Sequence, residues 1–390
     1  MGALEFLCST RFHKSLTLPP NPSTNRLTPL RVTYSDFGAA ESSNVVLFCG
    51  GLFGTRLTYA VLDRLAKEKG VRIVCPDRPG IGGTGDDGGG VRARVALWLE
   101  IVPSLLTHLS IPYVSLGSHS AGTIYAFNIL LSYPHLLHPT TPSITFFAPW
   151  VHQSHTKVAK LQAAALLPAS LIGGLSPLAK FVNGNVMPVV ASSGGLLKGM
   201  RTSLSNPSTP TSSELSSTSA DRGSDDASAG LETLDLNLDD AKVVAELRNH
   251  IATFVFAEEL AGVSEDAQLL LRKPASEITA WCPASSARQW TDIDDIPALL
   301  SQLVDEEKAL GRERKWCVDV FHAESDHMTG DRGRSWFDEC WKKEETKGRF
   351  AYRSKVVVGG DHDFLVDPGV GASRVWLERL GEIDGGERGT

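Results

Sequence analysis

Between Arg31 and Trp150 the chain alternates short, almost wholly apolar runs with longer stretches whose apolar residues recur at helical spacing. A run that is apolar at every position must be covered on both faces, the condition of a parallel strand flanked by helices. Leu30 to Tyr34 reads as an early strand, followed by a strand from Val45 to Cys49, a helix from Leu57 to Lys69 and a strand from Val71 to Cys75. Val91 to Leu109 carries Val95, Trp98, Leu99, Val102, Leu105, Leu106 and Leu109 at helical spacing. A strand then begins at Tyr113 to Leu116, a helix runs from Ala121 to Tyr133, and Ile144 to Phe147 is again a strand. The pattern stops there and resumes at Trp316 to Phe321 and Lys355 to Val358, each followed by a helix-like segment. The expected fold is therefore α/β, a mostly parallel sheet with flanking helices, formed by residues 1–150 and 291–390.

Residues 151–290 read as a mainly helical lid inserted after the sixth strand. Within it, Ser203 to Gly230 is rich in Ser, Thr, Asp and Pro and has almost no large apolar groups to offset its ordering entropy, so disorder is expected at about 203–230. Helical periodicity returns at Val243, Val244, Leu247, Ile251, Phe254 and Val255, after a cap at Asp239 or Asp240.

The chemistry is concentrated where strands end. Val114-Ser-Leu-Gly-Ser-His-Ser-Ala-Gly-Thr123 places Ser120 on a strand-to-helix turn, where small neighbours let a strained backbone lift a hydroxyl above the sheet. Serine and glycine also favour turns for conformational reasons alone, so the placement and the partners must carry the reading. A serine hydroxyl needs a base, and a developing oxyanion needs donors already in position. The base candidate is His362, in the loop after Val356-Val-Val-Gly-Gly, and the acid candidate is Asp326, just beyond the strand at Val318, with Asp319 and Glu324 as rivals. The oxyanion donors expected are the N–H of Leu52, in Gly50-Gly-Leu-Phe-Gly54, and the N–H of Ala121. His119, His152 and His155 rank below His362 because none of them follows a late strand.

These segments resemble the α/β-hydrolase family across the core, although not across the insertion. Asp77-Arg-Pro-Gly-Ile-Gly-Gly-Thr84 is similar to the family's DxPGxGxS loop, and Tyr34-Ser-Asp-Phe-Gly38 to its YxxxG segment. Ser118 stands for the first glycine of GxSxG, and Gly50 stands where many members have histidine. The resemblance implies an acyl-enzyme on Ser120, with His362 moving protons and Asp326 orienting it.

The function expected is hydrolysis of a carboxylic ester with an apolar acyl or alcohol group, a character suggested by Leu161, Leu166, Leu167, Leu171, Ile172, Phe181 and Val190. Thioester hydrolysis, acyl transfer, lyase chemistry and simple ligand binding on the same frame stay open. Lys plus Arg number 38 and Asp plus Glu 45, a net charge of −7 with no basic block, so nucleic acid is not an expected partner. The six cysteines lack CxxC or Cys/His spacing and read as buried free thiols, and neither metal nor cofactor is expected. No secretion signal or transmembrane span is read, cytoplasmic residence is the expectation, and the oligomeric state is left open.

Overall fold

A computed structural model describes residues 1–24, 26–175, 236–273, 295–312, 314–343 and 348–387. The central apolar runs become strands buried along most or all of their length. In β3 (Val45–Cys49) and β6 (Ser143–Phe147) every residue is buried. With β1 (Lys14–Leu18), β2 (Leu30–Gly38), β4 (Arg72–Pro76), β5 (Ser115–His119), β7 (Trp316–Ser325) and β8 (Phe350–Asp361) they form one sheet, in the order β1-β2-β4-β3-β5-β6-β7-β8. β2 runs antiparallel to β1 and β4, and the remaining neighbours pair in parallel.

Successive side chains of a strand point to opposite faces, and the sheet accordingly separates two cores. Val45, Leu47 and Cys49 of β3 join one core, whereas Val46 and Phe48 join the other. The first core is covered by α3 (Gly90–His108), α4 (Gly122–Ser132) and, later in the chain, the helices Ile296–Ala309 and Gly330–Cys340. The second is covered by α1 (Ala3–Leu7), α2 (Asp63–Glu68) and the C-terminal helix Ala372–Glu387.

Between β6 and β7 the described chain is helical. α5 (Gln153–Thr156), α6 (Ala159–Ala165) and α7 (Ala169–Gly173) come first, then α8 (Ala241–Ala257), α9 (Ala261–Leu270) and α10 (Ile296–Ala309), so that the last two helices of the chain become α11 (Gly330–Cys340) and α12 (Ala372–Glu387). Asp240 caps α8, its carboxylate accepting the Lys242 N–H at 2.8 Å. Leu247, Ile251 and Val255, on the expected helical face of α8, are buried in the second core. The segment expected to be disordered, 203–230, lies outside the described residues, as do Phe181, Val190 and Cys282.

Several elements differ from the sequence reading. α1 and β1 are additional, and β8 begins at Phe350 instead of Lys355. β1 and β8 are the edge strands, each paired on one side; β1 carries no continuous apolar run to mark it, and β8 carries one only at 356–358, within the part expected as a strand. Cys49, Cys75 and Cys340 are buried thiols as expected, and Cys317 is partly buried, but Cys8 is exposed. It follows the short α1, which turns Ala3, Phe6 and Leu7 inward and leaves the next residue on the solvent side. No described helix is long and apolar enough to cross a membrane.

The sheet centre is tied to α12 by Trp376, whose ring meets Phe147 edge-on at 5.1 Å and Phe48 at 5.8 Å. A Cβ added to Gly117 would lie 2.7 Å from the Phe48 ring and 3.1 Å from Trp376, so glycine there is what admits the indole. Trp376→Ala should therefore destabilise the fold by about 3–5 kcal/mol, read as a lower denaturant midpoint. A loss below about 1 kcal/mol would show that the indole is not a keystone of this core.

Candidate active site

β5 ends at His119, and the chain turns at Ser120 into α4 with a φ of +48°, in the left-handed region. The turn is this tight because α4 passes directly over β3. A Cβ on Gly122 would stand 2.1 Å from the Cys49 carbonyl oxygen, a contact that only glycine avoids. Ser118, by contrast, is an ordinary member of β5, paired with Cys49 and Phe146, so serine is conformationally acceptable there. Around Ser120 the sterically obligatory glycines are Gly117 and Gly122.

The structure brings Ser120, His362 and Asp326 together from three strand ends. Ser120 Oγ lies 2.8 Å from His362 Nε2, and His362 Nδ1 lies 2.9 Å from Asp326 Oδ1. Asp326 Oδ1 also accepts the N–H groups of Met328 at 2.9 Å and Thr329 at 2.7 Å. An acceptor-only carboxylate opposite Nδ1 makes that nitrogen the donor and leaves Nε2 to accept the serine proton.

The electrostatics follow from burial and pairing. His362 and the Asp326 side chain are almost wholly buried. For Asp326, burial alone would raise its pKa, but the His362 charge and hydrogen bond, with the two backbone N–H donors, lower it to about 2. For His362, burial would lower its pKa, yet the charge and hydrogen bond of Asp326 outweigh this and raise it above the ordinary 6.5. The other acids expected as rivals are occupied elsewhere. Asp319 pairs with Arg353 at 2.8 Å, and Glu324 accepts the Gly359 N–H at 2.9 Å.

The histidines ranked below His362 have separate tasks. His119 Nε2 donates to the His362 carbonyl at 2.8 Å, and its Nδ1 lies 3.2 Å from the Tyr59 hydroxyl. Because the carbonyl can only accept, Nδ1 is left to accept from Tyr59, whose oxygen in turn receives the Gly51 N–H at 2.8 Å. Burial, and then the His362 charge, hold the His119 pKa down at about 4, so the ring stays neutral and the chain from Gly51 to the His362 backbone stays intact. No sequence signal pointed to Tyr59. His152 caps α5, and His155 stacks on Trp336 at 4.0 Å.

The Gly-rich exit from β3 crosses beside the serine, since a Cβ on Gly51 would lie 3.5 Å from Ser120 Cβ. The expected oxyanion donors, Leu52 N–H and Ala121 N–H, donate to no other described residue. Next to His362, ligand-type atoms of His327, Asp361 and Asp363 lie within 4.8 Å of one another. The three are partly exposed, as solvated loop groups commonly are, and the chemistry below uses no metal.

No protein-family model matches the chain, and no curated protein matches its sequence. Solved structures do match its shape. A carboxylesterase structure from the thaumarchaeon Nitrososphaera gargenis aligns at 14% identity over 95% of this chain and 99% of that one, with a TM-score of 0.52. An epoxide hydrolase from Vigna radiata aligns at 15% identity over 95% and 98%, with a TM-score of 0.50. Epoxide hydrolase A from Mycobacterium thermoresistibile aligns at 12% identity over 94% and 98%, also at 0.50. At such identities the likeness shows the fold, which is that of the α/β-hydrolases.

The His362 environment has a direct readout. Followed by NMR and assigned with His362→Gln, its ring should titrate with a midpoint above 6.5. Asp326→Asn should move that midpoint down, because removing the carboxylate charge leaves burial to act alone. A midpoint that Asp326→Asn does not move would refute the pairing.

Proposed function

We propose that this chain, built on the α/β-hydrolase fold, is a serine hydrolase that cleaves a carboxylic ester through an acyl-enzyme on Ser120. The observation that carries the reading is the unbroken run of short contacts from Ser120 Oγ through the His362 ring to Asp326. In the proposed cycle His362 Nε2 takes the hydroxyl proton as Ser120 Oγ attacks the ester carbonyl. Asp326 remains ionised and stabilises the imidazolium, which its depressed pKa suits it to do. The N–H groups of Leu52 and Ala121 take the oxyanion. Collapse of the tetrahedral adduct expels the alcohol, protonated by His362. A water molecule deprotonated by the same ring then releases the acid.

Ester cleavage is preferred to epoxide opening on chemical grounds, despite the fold shared with epoxide hydrolases. A serine oxygen that opened an epoxide would form an ether, which water at this site cannot release, whereas an acyl-serine is hydrolysable. An apolar acyl or alcohol group is favoured by Leu166 and Leu171, which are 84% and 62% exposed on the helices after β6.

A series of p-nitrophenyl esters of graded acyl length tests the assignment. The wild type should hydrolyse them, with kcat/KM rising from acetyl to medium chains, and Ser120→Ala should lose kcat on the order of 10⁴-fold or more. Retention of wild-type turnover by Ser120→Ala would remove the serine from the mechanism, and a flat chain-length profile would remove the apolar preference.

A further inference from the structure

We infer that Arg78 is a positioning residue that sets the oxyanion loop, and that Asp266, from a helix between β6 and β7, holds Arg78 in place; this rests on the acyl-enzyme reading. The Arg78 side chain is 1% exposed, and its hydrogen bonds converge on one loop. Nη1 donates to the Gly50 carbonyl at 2.5 Å, while Nη2 donates to the carbonyls of Gly51 at 2.7 Å and Leu52 at 2.9 Å. The remaining direction, Nε, donates to Asp266 Oδ2 at 2.8 Å. A planar guanidinium presents its donors in a fixed fork, so three consecutive carbonyls are drawn to one side by one rigid group.

The consequence lies in the peptide plane. In a trans peptide the C=O of one residue and the N–H of the next point in opposite directions. Drawing the Gly51 carbonyl to Arg78 therefore aims the Leu52 N–H away from it. Gly51 itself lies against Ser120 and His119, with its ideal Cβ position 3.0 Å from His119 Nδ1. The loop is thus held on one face by Arg78 and faces the serine with the other. Gly50 leaves room for this arrangement, since a Cβ there would stand 3.3 Å from Arg78 Nη1.

Asp266 reaches Arg78 because α9 docks on the Asp77–Thr84 loop. Glu259 and Gly82 exchange backbone hydrogen bonds at 2.8 and 3.3 Å, and Gly262 N–H donates to Gly80 O at 2.9 Å. A Cβ on Gly262 would stand 2.2 Å from the Pro79 carbonyl oxygen, so glycine permits that approach, and Asp266 follows one helical turn later. Its carboxylate also receives Arg94 Nε at 2.7 Å and the Tyr125 hydroxyl. The hydrogen bonds of Arg94 go to Asp266 and Glu265. Arg78 and Arg94 are therefore two buried guanidiniums on one carboxylate, and Arg78 is the one bonded to the oxyanion loop.

That difference supplies the test, made on the full chain with a p-nitrophenyl ester. Arg78→Lys keeps a charge for Asp266 but loses the fork, and kcat should fall by up to roughly 100- to 1000-fold, the range for losing one oxyanion donor, and by at least about 10-fold, with KM changed less than about threefold. Arg94→Lys disturbs the same carboxylate and should leave kcat within about threefold. Equal falls in kcat for the two variants, or a loss in Arg78→Lys carried by KM alone, would overturn the proposal. If Arg78→Lys does not fold, Arg78→Ala assayed with millimolar methylguanidinium replaces it. Its kcat should rise with the additive while that of wild type does not, and a folded variant without rescue would overturn the proposal. A wild type that hydrolyses no ester instead condemns the acyl-enzyme reading, whereas the first failures leave that reading standing.

Discussion

Ser120 occupies a backbone conformation that costs a non-glycine residue about 1–3 kcal/mol, and the contacts around it hold it there. Its N–H is held by the Phe147 carbonyl at 3.0 Å, and its own carbonyl receives Thr123 N–H at 3.0 Å and Thr123 Oγ1 at 2.7 Å. On the far side Gly122 is pressed against the Cys49 carbonyl. A hydroxyl fixed in this way points where the loop after β8 delivers His362, and the distances at the site follow from that one turn.

Buried charge links the rest of the molecule to the turn. Ionised groups removed from water must be paired, and losing one partner of such a pair is strongly destabilising. Asp266 with Arg78 and Arg94 satisfies this between α9 and the core. Arg56 bridges Asp77 at 2.7 Å and Glu258 at 2.9 Å. Arg248 of α8 reaches Asp367, a few residues past His362, and the Thr58 carbonyl at 3.1 Å. The helices α8 and α9 are therefore fastened to the loops that shape the site, and their apolar faces belong to the same two cores as the sheet.

Much of this was legible in the sequence because it is local. Central strands such as Val45–Cys49 announce themselves by continuous apolarity, and the strand-turn-helix around Ser120 by its small residues. His362 and Asp326 were legible through position, each just beyond a late strand. Of the edge strands, β1 was not legible and β8 was legible only from Lys355 onward, because β1 and the first residues of β8 lack that apolar signature. Tyr59, Arg78 and Asp266 were invisible for a different reason. Their roles arise from contacts between residues far apart in the chain, Arg78 and Asp266 being 188 positions apart, and no spacing rule reports such a pairing. The departure at Ser118 proved structurally innocuous, since the close approaches fall on Gly117 and Gly122.

On this mechanism the Ser120 oxygen is made nucleophilic by the His362 ring. Peptide mapping of the folded protein after reaction with a fluorophosphonate measures this directly, because the reagent marks the activated oxygen whatever the natural substrate. A single adduct is expected, on the peptide containing Ser120, formed far more slowly when His362 is replaced by Gln. A folded protein that takes up no reagent, or that carries it on another residue, would contradict it.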